Sequence, residues 1–302
     1  MKYTNKHGLP ETLVNLTERD TYTKGAARIS VTTLISAPRI SILRQRHDDE
    51  IEVDVADGLW ALVGRAIHHV AESGADHRHL PEERLFADVG GWVLSGGIDL
   101  QTLEDDGSIS LEDYKFTSAW AVMHAESKSD WELQLNLYAW LVRKVKGVSI
   151  KRLAICALIR DWRKQDAERN PAYPQAPAKV IDIPLWDFER QQAYVEERVR
   201  IHQAAATASE FGDDLPHCTD EDRWVRGEKF AVVRTGNKKA TKVFDTEPEA
   251  REWLKNQNAP HAFYVDHRPG EPVRCTGNYC RVAPFCEQYG QYVIETNMGD
   301  KS

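Results

Sequence analysis

The run Lys151–Arg160 (KRLAICALIR) constrains the fold more than any other stretch. Seven consecutive apolar residues, Leu153 to Ile159, lie between Lys151-Arg152 and Arg160. A strand with one wet face alternates apolar and polar side chains. An unbroken apolar run instead suits a strand buried on both faces of a mixed or parallel sheet, with a layer on each side. The chain supplies those layers. Asp54–Ser73 (DVADGLWALVGRAIHHVAES) places Leu59, Val63, Ala66, Ile67 and Val70 on one face at three- and four-residue spacing, the mark of an amphipathic helix. Ser129–Gly147 (SDWELQLNLYAWLVRKVKG) predicts a second, with Ser129 or Asp130 as its cap and Gly147 as its stop. Leu185 to about Ala208 predicts a long third helix with Phe188, Val195, Val199 and Ile201 as apolar members. Helix, strands, helix, strand, helix is an α/β pattern.

The strands carry the chemistry. Leu80–Val93 reads as a strand, a turn at Gly90-Gly91 and the start of a second strand. That second strand continues into Leu94–Phe116 (LSGGIDLQTLEDDGSISLEDYKF). Asp99 ends a Gly-rich apolar run, a polar turn covers Glu104–Gly107, and the next strand holds Glu112, Asp113 and Lys115. Alternation along a strand turns Asp113 and Lys115 to one face and Glu112 and Tyr114 to the other. If the two runs pair, two carboxylates and an ammonium converge. Carboxylate oxygens are the donors that hard divalent cations select. Two such ions activate a water and steady the leaving oxygen of a phosphodiester. A surface hairpin with solvated charges is the competing reading of this stretch alone. On the first helix Gly64, His68 and Glu72 recur every four residues. A mid-helix Gly costs ~1 kcal/mol against Ala, so Gly64 asks for a reason, such as close approach of another backbone.

The chain has 302 residues, enough for one large domain or one domain with an appendage. Apolar (41%) and charged (28%) content are those of a soluble globular protein. No apolar run is long enough to cross a bilayer, and the first residues lack a signal-peptide core. The expectation is a cytoplasmic protein with no membrane partner. A net charge of −8 has the wrong sign for a general nucleic-acid coat. A nucleic-acid enzyme of this balance must concentrate positive charge locally. The candidates are Arg143, Lys144, Lys146, Lys151 and Arg152, then Arg160, Arg163 and Lys164, then Arg234, Lys238, Lys239 and Lys242. Arg39 and Arg44 are further candidates for touching a phosphate.

Residues 1–28 are polar and aperiodic and read as an arm. Residues 161–178 read as a loop. Residues 224–270 look like a small unit of their own, with a hairpin from Lys229 to Phe244, a capping box at Thr246–Glu249 and a strand from His261 to His267. Five cysteines, an odd number, argue for a metal or cluster site over disulfides in such a chain. Cys275, Cys280 and Cys286 fall within twelve residues, and Cys218 precedes the small unit, whose ends can meet. Four thiolates suit an iron–sulfur cluster or zinc. Cys156, inside the buried strand, is most simply a small hydrophobe.

GRAIHHVAE, GGIDL…EDYK and QLNLY occur in that order on the elements just described. Together they resemble the RecB-like branch of the PD-(D/E)XK nuclease superfamily, which includes AddB nucleases, CRISPR-adaptation nucleases with a cysteine cluster and many phage exonucleases. The match runs from about Gly64 to Tyr138, with a weaker extension over the cysteines. The resemblance implies a restriction-endonuclease-like α/β core, a central mixed β-sheet flanked by helices, over residues 29–210. A small α+β module with a cysteine cluster would cover residues 211–302. It implies a Mg(II)- or Mn(II)-dependent DNA nuclease using two ions, an exonuclease of phage or bacterial recombination and repair. A structure-specific endonuclease and an inactive DNA-binding scaffold are the alternatives. By position, His68, Asp99, Asp113 and the Tyr114 carbonyl become metal ligands, and Lys115 orients the attacking water. Gln134 and Tyr138 contact DNA or brace the site, and Glu72 is a further acidic candidate. Cys218, Cys275, Cys280 and Cys286 would hold a 4Fe-4S cluster, with zinc as the alternative. The partners implied are DNA and a single-strand annealing protein or helicase.

Overall fold

The structure is a computed structural model that describes residues 1–19, 25–125 and 129–299, with side chains described to residue 296. Two compact units make up the chain: residues 1–41 with 48–215, and residues 42–47 with 216–302.

In chain order the first elements are β1 (Lys2–Thr4), α1 (Glu11–Glu18), β2 (Ile29–Ser30), α2 (Val31–Leu34), α3 (Pro38–Arg46), β3 (Glu52–Asp54) and α4 (Val55–Glu72). Then come β4 (His79–Val89), β5 (Trp92–Leu103), β6 (Ile109–Thr117), α5 (Ala119–Met123), α6 (Ser129–Lys146), β7 (Ile150–Ile159), α7 (Lys164–Arg169), β8 (Ala178–Ile183) and α8 (Phe188–Phe211). The second unit holds β9 (Val225–Arg226), β10 (Lys229–Arg234), β11 (Ala240–Phe244), α9 (Glu247–Lys255), β12 (Phe263–Arg268), β13 (Glu271–Pro272), α10 (Val273–Thr276) and α11 (Glu287–Gly299).

The main sheet runs β4-β5-β6-β7-β8, with β6 parallel to β7 and the other neighbours antiparallel. Strand β7 is the double-faced strand the apolar run predicts, and Leu153, Ala154, Ile155 and Ala157 are fully buried. Along one face lies α6, whose residues Leu135 to Val142 are buried without a break, because the sheet is on one side and α8 on the other. A polar side chain inside that layer needs partners, and Asn136 has four. It donates to Glu132 O and Pro184 O and accepts from the Trp186 N–H and the Gln191 amide.

On the other face α4 meets β6, with Asp54 as its N-cap, accepting from Ala56 N. Its apolar face is less covered than the spacing predicts. Only Val55 is buried, and Val70 is 69% exposed. The helix rests on the sheet through a few rings, His68 on Tyr114 and Trp60 on Phe116, which leaves much of its circumference to solvent. Gly64 has no close backbone beside it, for a Cβ built there meets nothing within 4 Å.

The expected N-terminal arm is instead partly structured. Strand β1 pairs in parallel with β3, and the Asp54 carboxylate accepts from Thr4 Oγ1 and the Lys6 N–H. The stretch 161–178 contains α7 as well as loop. Arg39 is buried and donates to Leu215 O, a structural role. Of the basic clusters, Lys146 is held by Glu83 and Gln101, Lys151 by Glu104, and Arg152 by Asp182.

In the second unit β11-β10-β12 form an antiparallel sheet. Trp253 of α9 packs edge-on to Phe263 and tilted on Phe244. Thr246 caps α9 as the capping box predicts. Among the described residues no helix is long and apolar enough to cross a membrane.

Candidate active site

The site sits where the sheet comes apart. Strand β4 occupies one edge of β5 along its length. The other edge is shared by β2, which pairs at Leu94 and Ser95, and by β6, which pairs only from Leu100 onward. Gly96 to Asp99 is therefore an unpaired gap, and β6 beyond Glu112 pairs with β7 alone. The splay frees the Tyr114 N–H, and the Asp99 carboxylate takes it at 2.9 Å. Asp99 thus stands in the gap because a backbone donor there has lost its strand partner.

Around Asp99 the groups come from three elements. His68 of α4 puts Nε2 3.2 Å from the Tyr114 carbonyl oxygen and 3.5 Å from Asp99 Oδ2. On the far side of that ring Nδ1 is 3.2 Å from Glu82 Oε1. His68, Glu82 and Asp99 each offer a donor atom within 4.8 Å of the others. Burial, and then the charge of Asp113, push the Asp99 carboxyl up to about 7. A cavity of about 460 Å³ opens beside the group, lined by Arg65, His68, Glu72, Glu82, Arg84 and Asp99 among others.

Asp113 lies across the β6 backbone, facing α6. It is 2% exposed. Its Oδ1 accepts from Gln134 Nε2 at 3.0 Å. Lys115 Nζ is 2.7 Å from Oδ2, yet no hydrogen bond of good geometry reaches that oxygen. Gln134 also accepts from Lys115 Nζ at 3.0 Å and donates to the Tyr138 hydroxyl at 2.9 Å. The Tyr138 ring fits because the facing strand residue, Gly96, has no side chain.

Every predicted residue of the constellation except Glu72 touches another member. Asp99, His68 and Tyr114 O form one group; Asp113, Lys115, Gln134 and Tyr138 form a second, joined to it through β6. Glu72 sits on the rim of the cavity and pairs with His69 at 3.5 Å. Glu82 was not visible in the sequence. It belongs to β4 and adopts φ +51°, in the left-handed region that side-chain-bearing residues avoid.

The site passes a chemical test for a hard cation. His68, Glu82 and Asp99, beside the Tyr114 carbonyl, are suitable donors, and Asp113 lies outside that group of three. An ionised Asp99 is held unfavourably, and Asp113 Oδ2 is a buried oxygen without a hydrogen bond.

The four C-terminal cysteines all belong to the second unit. Cys275 and Cys280 are buried, and burial pushes both thiols up, as do their neighbouring thiols. The backbone of Cys218 is held in both directions by the Gln288 amide, two residues past Cys286. Arg223 and Arg274, whose charges favour the Cys275 thiolate, each keep a buried Nε without a hydrogen bond. Two guanidiniums facing thiols suit an anionic thiolate site. Among the described residues no three of these sulfurs lie within 4.8 Å of one another. Cys156 is half-buried on β7, and burial pushes its thiol up too.

A mixed sheet flanked by helices, with an acidic group in the gap between two strands and a lysine two residues past one of its carboxylates, defines a restriction-endonuclease-like α/β protein. A model of the PD-(D/E)XK nuclease superfamily matches residues 39–287, and the chain belongs to that superfamily. Among solved structures, the crystal structure of SSO0001 is similar at 19% identity and a TM-score of 0.42, covering 63% of this chain and 85% of that one. No curated protein matches the sequence.

Proposed function

We propose that this chain is a Mg(II)- or Mn(II)-dependent deoxyribonuclease of the RecB-like branch, acting as an exonuclease on DNA ends in recombination or repair. The observation that carries the reading is the half-buried Asp99 carboxyl in the strand gap, 3.5 Å from His68 Nε2, bonded to the Tyr114 N–H and pushed up by burial and by the charge of Asp113. His68, Asp99, Asp113 and the Tyr114 carbonyl are the residues that would hold divalent ions. Bound there, such ions lower the pKa of a water and offset phosphate charge.

The chain's own residues divide the remaining work. Glu82 stands 3.2 Å from His68 Nδ1, where it would accept the Nδ1–H and turn the Nε2 lone pair toward an ion held beside Asp99, the orientation of a ligating imidazole. Lys115 is an ammonium fixed at the site by Gln134, which Tyr138 fixes in turn. It is placed to hold a water's oxygen or to meet charge that builds on the phosphate. Arg65 and Arg84 line the same cavity and suit a phosphate backbone. In the second unit, Cys218, Cys275, Cys280 and Cys286 are assigned to an iron–sulfur cluster. The support is the buried thiols of Cys275 and Cys280 and the two guanidiniums whose charges favour the Cys275 thiolate. A single-strand annealing protein or a helicase is the partner class for such an enzyme.

The test is digestion of end-labelled linear DNA beside a covalently closed circle, with Mg(II), Mn(II) or EDTA. Metal-dependent loss of the linear DNA alone, reduced at least ~10²-fold by Lys115→Ala and abolished by Asp113→Ala, is expected. Cleavage of the circle would make it an endonuclease. No turnover by folded protein would leave a DNA-binding scaffold. Protein purified without oxygen should show broad visible absorbance that is lost in Cys280→Ser. A colourless protein carrying zinc would overturn the cluster assignment.

A further inference from the structure

Trp60 is 57% exposed on α4. Trp60, Gly64 and His68 follow one another at four-residue spacing and so share a side of the helix. The two outer members rest on successive same-face residues of β6. His68 meets the Tyr114 ring and Trp60 meets the Phe116 ring, each at 6.0 Å between centroids. Between them the helix surface is bare, since a Cβ at Gly64 meets nothing within 4 Å. Arg160, at the end of β7, lays its guanidinium over the Trp60 ring at 5.2 Å. Among the described residues no carboxylate pairs with it. It is placed there by the bond from its N–H to Thr117 O, one residue past Phe116. The neighbouring α5, whose Ala119 N–H is held by Asp161, carries Trp120, 60% exposed and stacked on His124 at 4.5 Å.

An exposed indole costs solvation unless something covers it, and Trp60, though it rests on Phe116, leaves more than half of its side chain to solvent. A ring face with a guanidinium over it is the equipment for holding an unpaired base. Base–aromatic stacking is indifferent to sequence, and arginine adds cation–π and phosphate contacts. A base inside a duplex offers only its edge.

We infer that Trp60 and Arg160 form a stacking shelf for an unpaired base of single-stranded DNA, with the strand's backbone crossing Gly64 to reach the Asp99–His68 site. From residue 60 to residue 68 the helix rises about 12 Å at ~1.5 Å per residue. That spans three to four nucleotides at a stacked rise of ~3.4 Å. The shelf thus selects a frayed or single-stranded end and fixes how far from that base the cut falls. The inference rests on the nuclease reading only for where the strand leads; the shelf is tested without turnover.

The full chain in EDTA is titrated with a labelled oligothymidylate and with a duplex whose two ends are capped by non-nucleotide ethylene-glycol linkers. Trp60→Ala and Arg160→Ala change exposed side chains, so both should keep the wild-type circular dichroism. Trp60→Ala is expected to weaken single-strand binding roughly 5- to 100-fold, Trp60→Phe less, and capped-duplex binding in neither. An abasic site walked along the strand should weaken wild-type binding at one position and leave Trp60→Ala indifferent there. Single-strand binding by Trp60→Ala within twofold of wild type, a flat abasic scan, or no strand bound by folded protein would each overturn the shelf. Trp60-dependent binding with no hydrolysis on adding Mn(II) would keep the shelf and remove the nuclease reading. Hydrolysis with unchanged strand binding in Trp60→Ala would do the opposite.

Discussion

Replacing Gly96 by Ala adds one methyl group where β5 meets α6. The new Cβ would stand 2.6 Å from Leu141 Cδ1 and 2.9 Å from two Tyr138 ring atoms. Carbon atoms rest at about 3.5–4.0 Å, so the neighbours must retreat by about 1 Å. Leu141 and Tyr138 are both buried, and neither has solvent to swing into. The strain therefore falls on the helix. Overpacking of this kind costs roughly 1–3 kcal/mol. Its effect on function should be larger than its effect on stability. Gln134 lies one turn before Tyr138 on the same helix and holds both Asp113 and Lys115 through bonds of 3.0 Å. Misplacing such groups by ~1 Å costs on the order of 10²-fold in rate. Urea unfolding should show a lower midpoint with an unchanged m-value. Hydrolysis of linear DNA, measured where both proteins are folded, should fall by about two orders of magnitude. Gly97→Ala is the control for the urea measurement, because its Cβ meets only the guanidinium end of Arg84, at 3.2 Å. If Gly96→Ala unfolds within about 0.5 kcal/mol of wild type, α6 is not held against β5 as described, and the link from packing to site fails.

Four other outcomes follow from the same structure. Gly64→Ala should raise stability by about 0.8–1.0 kcal/mol, since the helix gains propensity and the methyl meets nothing; a lower urea midpoint would show a neighbour that the packing lacks. Asn136→Ala strands the Trp186 N–H, the Gln191 amide and two carbonyls, at a cost of roughly 2–4 kcal/mol, and a urea-measured loss below about 1 kcal/mol would contradict that count. His202 is 4% exposed, and burial, then the Arg198 charge, hold its pKa down at about 4 against 6.5 in an unfolded chain. The unfolded state therefore binds more protons between pH 6.5 and 4, and stability falls through that window as pH falls, by roughly 3 kcal/mol in all. His202→Gln keeps a donor for Leu34 O and should flatten that slope in urea titrations at pH 5 and 7; equal slopes would refute it. Glu82→Gln should weaken Mn(II) binding by ~10- to 100-fold in a calorimetric titration, and unchanged affinity would remove Glu82 from the His68 support.

The layers of the fold were legible because each rested on a pattern with one physical solution. The apolar run at Leu153–Ile159 has no wet side, so a sheet covered on both faces had to follow. Thr246-Glu-Pro-Glu is a helix start whose bonds are local, and it folds as written. What could not be read was tertiary. The apolar spacing on α4 predicts a buried face, but how much of a face is buried depends on what the sheet presents to it, and β6 presents two aromatic rings rather than a flat apolar surface. The N-terminal residues lack periodicity because their order comes from elsewhere. A three-residue strand is fixed by pairing with β3 and by the carboxylate of Asp54, some fifty residues on.

The site divides along the same line. Asp113, Lys115 and Tyr114 follow from strand alternation, and the Gln134–Tyr138 pair from helical spacing, so local geometry already fixes which groups meet. Asp99 and Glu82 depend on register and strain. Asp99 is placed by the parting of β5 and β6 after Leu100, a consequence of β2 and β6 sharing one edge of β5. Glu82 stands directly across from Asp99 at the one break in the β4–β5 ladder, between the pairs Pro81–Leu100 and Glu83–Ile98. A glutamate with φ +51° costs roughly 1–3 kcal/mol and leaves no mark in composition or period. It persists only where the surrounding ladder over-determines it, and here the ladder is continuous on both sides. The carboxylate carried on that backbone reaches His68 Nδ1 at 3.2 Å. Glu82→Gly should then relieve the strain and stabilise the fold while loosening the histidine, so that unfolding stability and Mn(II) affinity move in opposite directions. Parallel loss of both would mean that the carboxylate serves the fold and not the site.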